Sequence, residues 1–123
     1  MQYNKSINEI VRDAHETALD KGFYEDIDTL YNFLDAKGQQ ALQRVAKRDF
    51  VLAQLSKIGS EVGEAVQAIQ RNDIYSEHVA EEMADILIRL CDLAGYLEIN
   101  LGRAVSMKME HNKMRPRKHG KIC

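Results

Sequence analysis

The sequence has no tryptophan, one proline, two cysteines and only 7% aromatic residues among 123. Each shortage excludes something. Cys91 and Cys123 are too few for a disulfide framework and match no metal or redox spacing, so both are expected in the reduced state. A lone proline, Pro116, and the absence of useful strand-like alternation point to an all-α chain. No apolar run approaches the roughly 20 residues that a membrane span requires. The opening MQYNKSINEIVRDAHE lacks the apolar centre of a signal peptide. These two features lead to the expectation of a cytoplasmic protein with no membrane partner. Charge of one sign is also missing: 17 Lys and Arg face 19 Asp and Glu, a net charge of −2. No field of the whole molecule would draw in nucleic acid, so any anion site must be local. A glycine-rich phosphate loop is absent, as are Ser-His-Asp and Cys-His sets.

What is present is helical periodicity. With 45% hydrophobic and 29% charged residues, the composition suits one folded domain over residues 1–123. Ser6-Ile7-Asn8-Glu9 is a start signal, with Ile7, Val11, Ala14 and Ala18 as the buried stripe and Gly22 as the stop. A shorter helix is expected around Ile27, Leu30 and Leu34, ending near Gly38. A long one follows from Gln40 to Gln70, with the seam Val51, Leu55, Ile58, Val62, Ala65 and Ile69. After a turn at Asn72-Asp73, a helix from Glu77 to Leu97 carries the seam Val79, Met83, Ile86, Leu90, Leu93 and Leu97. The last helix follows the N-cap Asn100 and ends before Pro116. The seam of the long helix is expected to face other helices, and the whole to form a bundle of four to five helices.

The helix from Glu77 to Leu97 is apolar around most of its circumference and is expected to be buried on most sides. Its polar strip, Glu82, Asp85, Arg89 and Asp92, runs along one edge. On the preceding helix Glu61 and Glu64 lie beside the Ile58–Val62 seam. If the helices pack through their seams, four carboxylates converge. Unpaired, they would repel one another at low dielectric and force some to bind protons. A divalent cation removes that penalty, and oxygen donors without Cys or His suit Mg²⁺ or Mn²⁺ rather than zinc. The alternative is solvated helix faces, with Lys57 pairing Glu61 and Arg89 pairing Asp85 four residues away.

The pattern Glu61-x-x-Glu64, 17 residues, Glu82-x-x-Asp85 resembles the ExxE and ExxD motifs of the MazG-like all-α nucleoside triphosphate pyrophosphohydrolases. KIGSEVGEAVQAIQR and EEMADILIRLCDLAG read like that family's two metal-binding helices, and KMEHNKMRPRKHGK like its C-terminal end. The resemblance spans about residues 7 to 121 and is weakest from Glu25 to Ala46. It implies Mg²⁺-dependent hydrolysis of dNTPs or non-canonical NTPs between the α and β phosphates, a house-cleaning role, and a fold completed as a homodimer or dimer of dimers. By position it implies that Glu61, Glu64, Glu82 and Asp85 hold the metal, with Glu61 or Glu64 taking a proton from the attacking water. Lys108, Asn112 and Arg115 match a K-x-x-x-N-x-x-R pattern that contacts the triphosphate. Their spacing independently puts them on one face of the last helix.

His15 and Tyr24, in HETALDKGFYEDI, are similar to the family's base-recognition corner, although members often carry Trp where this chain has Tyr24. The alternative makes His15 a surface residue and Phe23 and Tyr24 ordinary packing. Arg117, Lys118, His119 and Lys121 extend the basic strip, but the cluster is short and free of interleaved aromatics, so no nucleic-acid partner is expected. His78 and His111 read as surface residues. Two other functions remain open: a non-catalytic helical interaction module, and a phosphoribosyl-ATP-type pyrophosphohydrolase.

Overall fold

The computed structural model describes residues 6–71 and 74–117, folded as five α-helices with no strand among the described residues. The helices are α1 (Ile7–Asp20), α2 (Glu25–Ala36), α3 (Gln40–Arg71), α4 (Glu77–Tyr96) and α5 (Leu101–Lys113). The expected turn at Asn72-Asp73, and Lys118, His119, Lys121 and Cys123, lie outside the described residues.

Local chemistry explains the boundaries. The Ser6 hydroxyl accepts from the Glu9 amide, and Ser76 and Asn100 do the same for Val79 and Arg103, each satisfying an orphan donor of a first turn. Ser76 caps α4 without having been singled out from the sequence. α1 stops where Gly22 takes φ +79°, letting the Phe23 amide return to the Ala18 carbonyl. α4 stops in the same way, with the Ile99 amide on the Ala94 carbonyl, but Glu98 occupies the left-handed position at φ 56°.

α4 is the shared wall: α1 packs along one side of it and α3 along another, while α2 packs on α3 and α5 on α1. Val11, Cys91 and Ala94 form one core cluster, with Ile7, Ile10, Ala14 and Leu101 against it. Ala18, Tyr24 and Ile27 form a second, flanked by Ala46, Phe50 and Tyr96. Tyr24 stacks on Tyr96 with ring centroids 4.8 Å apart. Burial holds the Cys91 thiol above its ordinary pKa, consistent with the reduced state expected of it. Small residues let α1 and α4 approach closely: a Cβ built on Gly95 would lie 2.7 Å from the His15 Cβ.

The seams depart from expectation. Leu55, Val62 and Ile69 on α3 are 46%, 45% and 45% exposed, and Met83 on α4 is 63% exposed. Burial of α4 on most sides holds only for its last six residues, from Cys91 to Tyr96, since Leu87, Ile88 and Leu90 are exposed. The physical reason is a shortage of partners. α3, at 32 residues, is roughly 48 Å long at 1.5 Å per residue. The shorter α2 and α4 cover only parts of it. The chain exposes 9586 Å², against about 6,700 Å² for a compact monomer of this mass.

The close approach at Gly95 gives a direct test. Gly95→Ala should push α1 from α4 and cost about 1–3 kcal/mol, read by urea unfolding, because the contact is with His15 near its backbone.

Candidate metal centre

Pairing of α3 with α4 brings Glu61, Glu64 and Glu82 together, with one carboxylate oxygen from each within 4.8 Å of the others. The three-residue step places Glu61 and Glu64 on one face of α3, and α4 delivers Glu82 across from them. Asp85, the fourth expected member, is exposed one turn further along α4 and is not part of this group of three. It lines a neighbouring cavity instead.

The cluster is under electrostatic load. A hydrogen bond with Glu61, the charge of Glu61 and then that of Glu82 raise the Glu64 carboxyl above the usual carboxylate range, with Arg89 pulling the other way. The Arg89 Nε donates to Glu61 Oε1 at 2.9 Å. Arg89 thus crosses between helices rather than pairing with Asp85 on its own helix, since the packed carboxylate of Glu61 is only 15% exposed and has the greater need of a counter-charge. Glu82 is 13% exposed, with the His78 Nε2 3.7 Å from its Oε1. His78, read from sequence as a surface residue, is exposed but borders the cluster. The other oxygen, Glu82 Oε2, is buried with no hydrogen-bond partner among the described residues.

That orphaned oxygen tests whether the residues fit a cation. An anionic acceptor removed from water without a donor is costly. A divalent ion among Glu61, Glu64 and Glu82 would satisfy it and relieve the repulsion, and an all-oxygen set suits a hard cation.

Two cavities flank the cluster. A cleft of about 360 Å³ on one side is lined by Glu64, Gln67, Arg71, His78 and Glu82. A larger cavity of about 850 Å³ lies between α1, α3 and α4. Asp13, Lys57, Asp85, Arg89 and Asp92 supply its charged groups, and Arg89 connects it to Glu61.

His15 and Tyr24 meet at Asp92. His15 Nδ1 lies 2.9 Å from Asp92 Oδ1, and the Tyr24 hydroxyl donates to the same oxygen at 2.8 Å. Tyr24 is 3% exposed and packs edge-on to His15, while Phe23 is 68% exposed at the cavity wall. Sequence reading paired His15 with Tyr24 but connected neither to Asp92, because Asp92 lies 77 and 68 residues away from them and no local period links such positions. Lys108, Asn112 and Arg115 are exposed on and just after α5 and line neither cavity of their own chain.

A raised carboxyl pKa in the folded state means that its contribution to stability is present below the unfolded value and lost as pH rises through the folded one. The metal-free protein should therefore lose stability as pH rises through and just above the carboxylate range. Mg²⁺ or Mn²⁺ should restore it, with affinity increasing with pH because proton and cation compete. Glu64→Gln should raise the metal-free melting temperature at neutral pH while weakening the Mg²⁺-dependent shift, as followed by thermal denaturation with and without EDTA. A lower melting temperature in that variant would contradict the repulsion.

No curated protein and no solved structure matches the chain. The family model of the MazG nucleotide pyrophosphohydrolase domain matches residues 51–120, more than half of the chain, spanning the carboxylate-bearing stretches of α3 and α4 and the basic strip of α5. With five helices and a carboxylate cluster on the two helices where the motifs predict it, the chain belongs to the MazG nucleotide pyrophosphohydrolase family.

Proposed function

We propose that the protein hydrolyses nucleoside triphosphates, dNTPs or non-canonical NTPs, between the α and β phosphates, releasing a nucleoside monophosphate and pyrophosphate. The observation that carries the reading is the carboxylate cluster with its orphaned Glu82 oxygen, joined through Arg89 to a cavity of about 850 Å³. Glu61, Glu64 and Glu82, completed by Asp85 on the same face of α4, would hold Mg²⁺, with Mn²⁺ as a substitute. Bound there, the cation supplies neutralisation of phosphate charge and a more acidic water for in-line attack on the α phosphorus.

The chain's own groups do the rest. Glu64 is the better proton acceptor of the two candidates, because Glu61 is held by Arg89 while Glu64 is exposed and has the raised proton affinity. Lys57, at the cavity wall, can oppose phosphate charge from α3. Lys108, Asn112 and Arg115 would grip the triphosphate. Since they line neither cavity of their own chain, we assign them to the site of a second copy, in a homodimer or dimer of dimers. The exposed Leu55, Val62, Val66 and Ile69 on α3 support that assembly by offering an apolar face longer than the chain covers itself. A house-cleaning role in the cytoplasm follows from this reading.

The first test is incubation with paired canonical and modified NTPs and dNTPs plus Mg²⁺, with products resolved by chromatography and a parallel EDTA series. Monophosphate plus pyrophosphate, lost with EDTA, is expected; phosphate as the only small product would refute it. Asp85→Ala should abolish turnover with an unchanged circular dichroism spectrum. Arg115→Ala should raise KM or lower kcat while leaving nucleotide-free Mg²⁺ binding intact. Val66→Glu should convert an oligomer into monomer by sedimentation and remove activity with it.

A further inference from the structure

Asp92 is unlike the other carboxylates of α4. It lies beyond the metal cluster, seven residues past Asp85 on α4, about 10 Å of helix rise. Its Oδ1 is saturated by two donors from elsewhere in the chain, His15 Nδ1 and the Tyr24 hydroxyl. A carboxylate is an acceptor, so the bond makes Nδ1 the protonated nitrogen of His15. Burial and the proximity of Asp92 push the Tyr24 hydroxyl well above its ordinary pKa, which keeps it a donor. The two bonds fix the orientation of the carboxylate. Its second oxygen, Oδ2, has no partner among the described residues, and Asp92 is one of the groups lining the larger cavity with its side chain 20% exposed.

The cavity offers both apolar wall and polar groups, Asp13, Thr17, Gln54 and Lys57 among the latter. Ile10, Ala14, Phe23, Leu87 and Ile88 make apolar walls suited to a flat ring, while Asp85 and Arg89 lie towards the carboxylate cluster. A nucleotide with its phosphates at the cluster would therefore carry its base towards Asp92. We infer that Asp92 is the specificity-determining residue of this cavity: its fixed, unshared Oδ2 accepts a hydrogen bond from an exocyclic amino group and so selects nucleotides of cytosine or adenine type over their deaminated counterparts. This inference rests on the proposed nucleotide site and adds the class of base.

The chemistry is one of opposed lone pairs. Cytosine N4 and adenine N6 are donors. Deamination replaces each with a carbonyl oxygen, which would face the carboxylate oxygen and leave both acceptors unpaired. Sites built to hydrogen-bond a substrate N–H reject analogues lacking it far more strongly than apolar pockets reject a missing methylene. Asp92→Asn keeps the shape of the side chain: its carbonyl oxygen can still accept from His15 and Tyr24, while its NH₂ takes the place of Oδ2 and donates to a carbonyl.

The experiment is calorimetric titration of the full chain, in Mg²⁺, with α,β-imido analogues of dCTP against dUTP and of dATP against dITP, which resist cleavage and separate recognition from turnover. At least one amino-bearing member should bind about tenfold or more tightly than its deaminated partner. Asp92→Asn should abolish or invert that ratio, and Tyr24→Phe, which leaves Oδ2 in place, should keep its direction. Equal binding within both pairs in the unaltered protein, tighter binding of the deaminated members, or no binding overturns the inference without needing any variant. An unchanged ratio in folded Asp92→Asn overturns it too. Selective binding without turnover of the natural nucleotides would support the role of Asp92 and sink the proposed hydrolysis instead.

Discussion

The pairing of α3 with α4 is the constraint on which the rest of the molecule depends. α4 buries Cys91 and Ala94 against Val11 of α1 and Leu101 of α5, and its packing on α3 along another side draws Glu61, Glu64 and Glu82 within 4.8 Å of one another. Apolar burial at roughly 25 cal/mol per Å² is what can hold like charges at such a distance. The load is visible in three places: the raised Glu64 carboxyl, the transfer of Arg89 to Glu61, and the buried Glu82 oxygen that nothing satisfies. A protein shaped only for stability would have separated these groups or replaced one.

Polar and apolar roles are divided along α4. The stretch around Glu82 and Asp85 has little cover on its apolar residues Met83, Leu87 and Ile88, and the last six residues, from Cys91, are the best-buried stretch of the helix. Asp92 sits at the start of that buried stretch, held by His15 from α1 and Tyr24 from the turn before α2. Two side chains from one N-terminal stretch thus converge on a carboxylate some 70 residues away. Gly95, one turn later, lets α1 come close enough for His15 to reach it. The aromatic stack of Tyr24 with Tyr96 and Phe50 then anchors the corner.

Apolar exposure on α3 and α4 follows from chain length. A helix of 32 residues cannot be covered by partners of 12 and 20 residues packed alongside it within a single copy. Leu55, Val62 and Ile69 keep the spacing of a buried seam while remaining about half exposed. A periodic apolar face on so long a helix has the form of an interface, and the proposed second copy would bring both cover for that face and the cations of α5.

Much of the architecture was legible in the sequence because local interactions set it. Ser6, Gly22, Gly38 and Asn100 mark helix ends through bonds to residues within a few positions, and the 3.6-residue period placed all five helices to within a residue or two. The carboxylate motifs were legible for the same reason: a step of three on a helix is geometry that a sequence states directly. The sequence by itself therefore determined the helices, their ends and which side chains share a face. Tertiary structure alone decided which faces meet. It joined His15 and Tyr24 at Asp92, moved Arg89 from Asp85 to Glu61, left Asp85 outside the cluster of three and exposed half of the expected α3 seam and a third of the α4 seam. Periodicity fixes the direction of a side chain around its own axis, whereas contacts across 28 to 77 residues depend on how whole helices compete for a limited apolar surface.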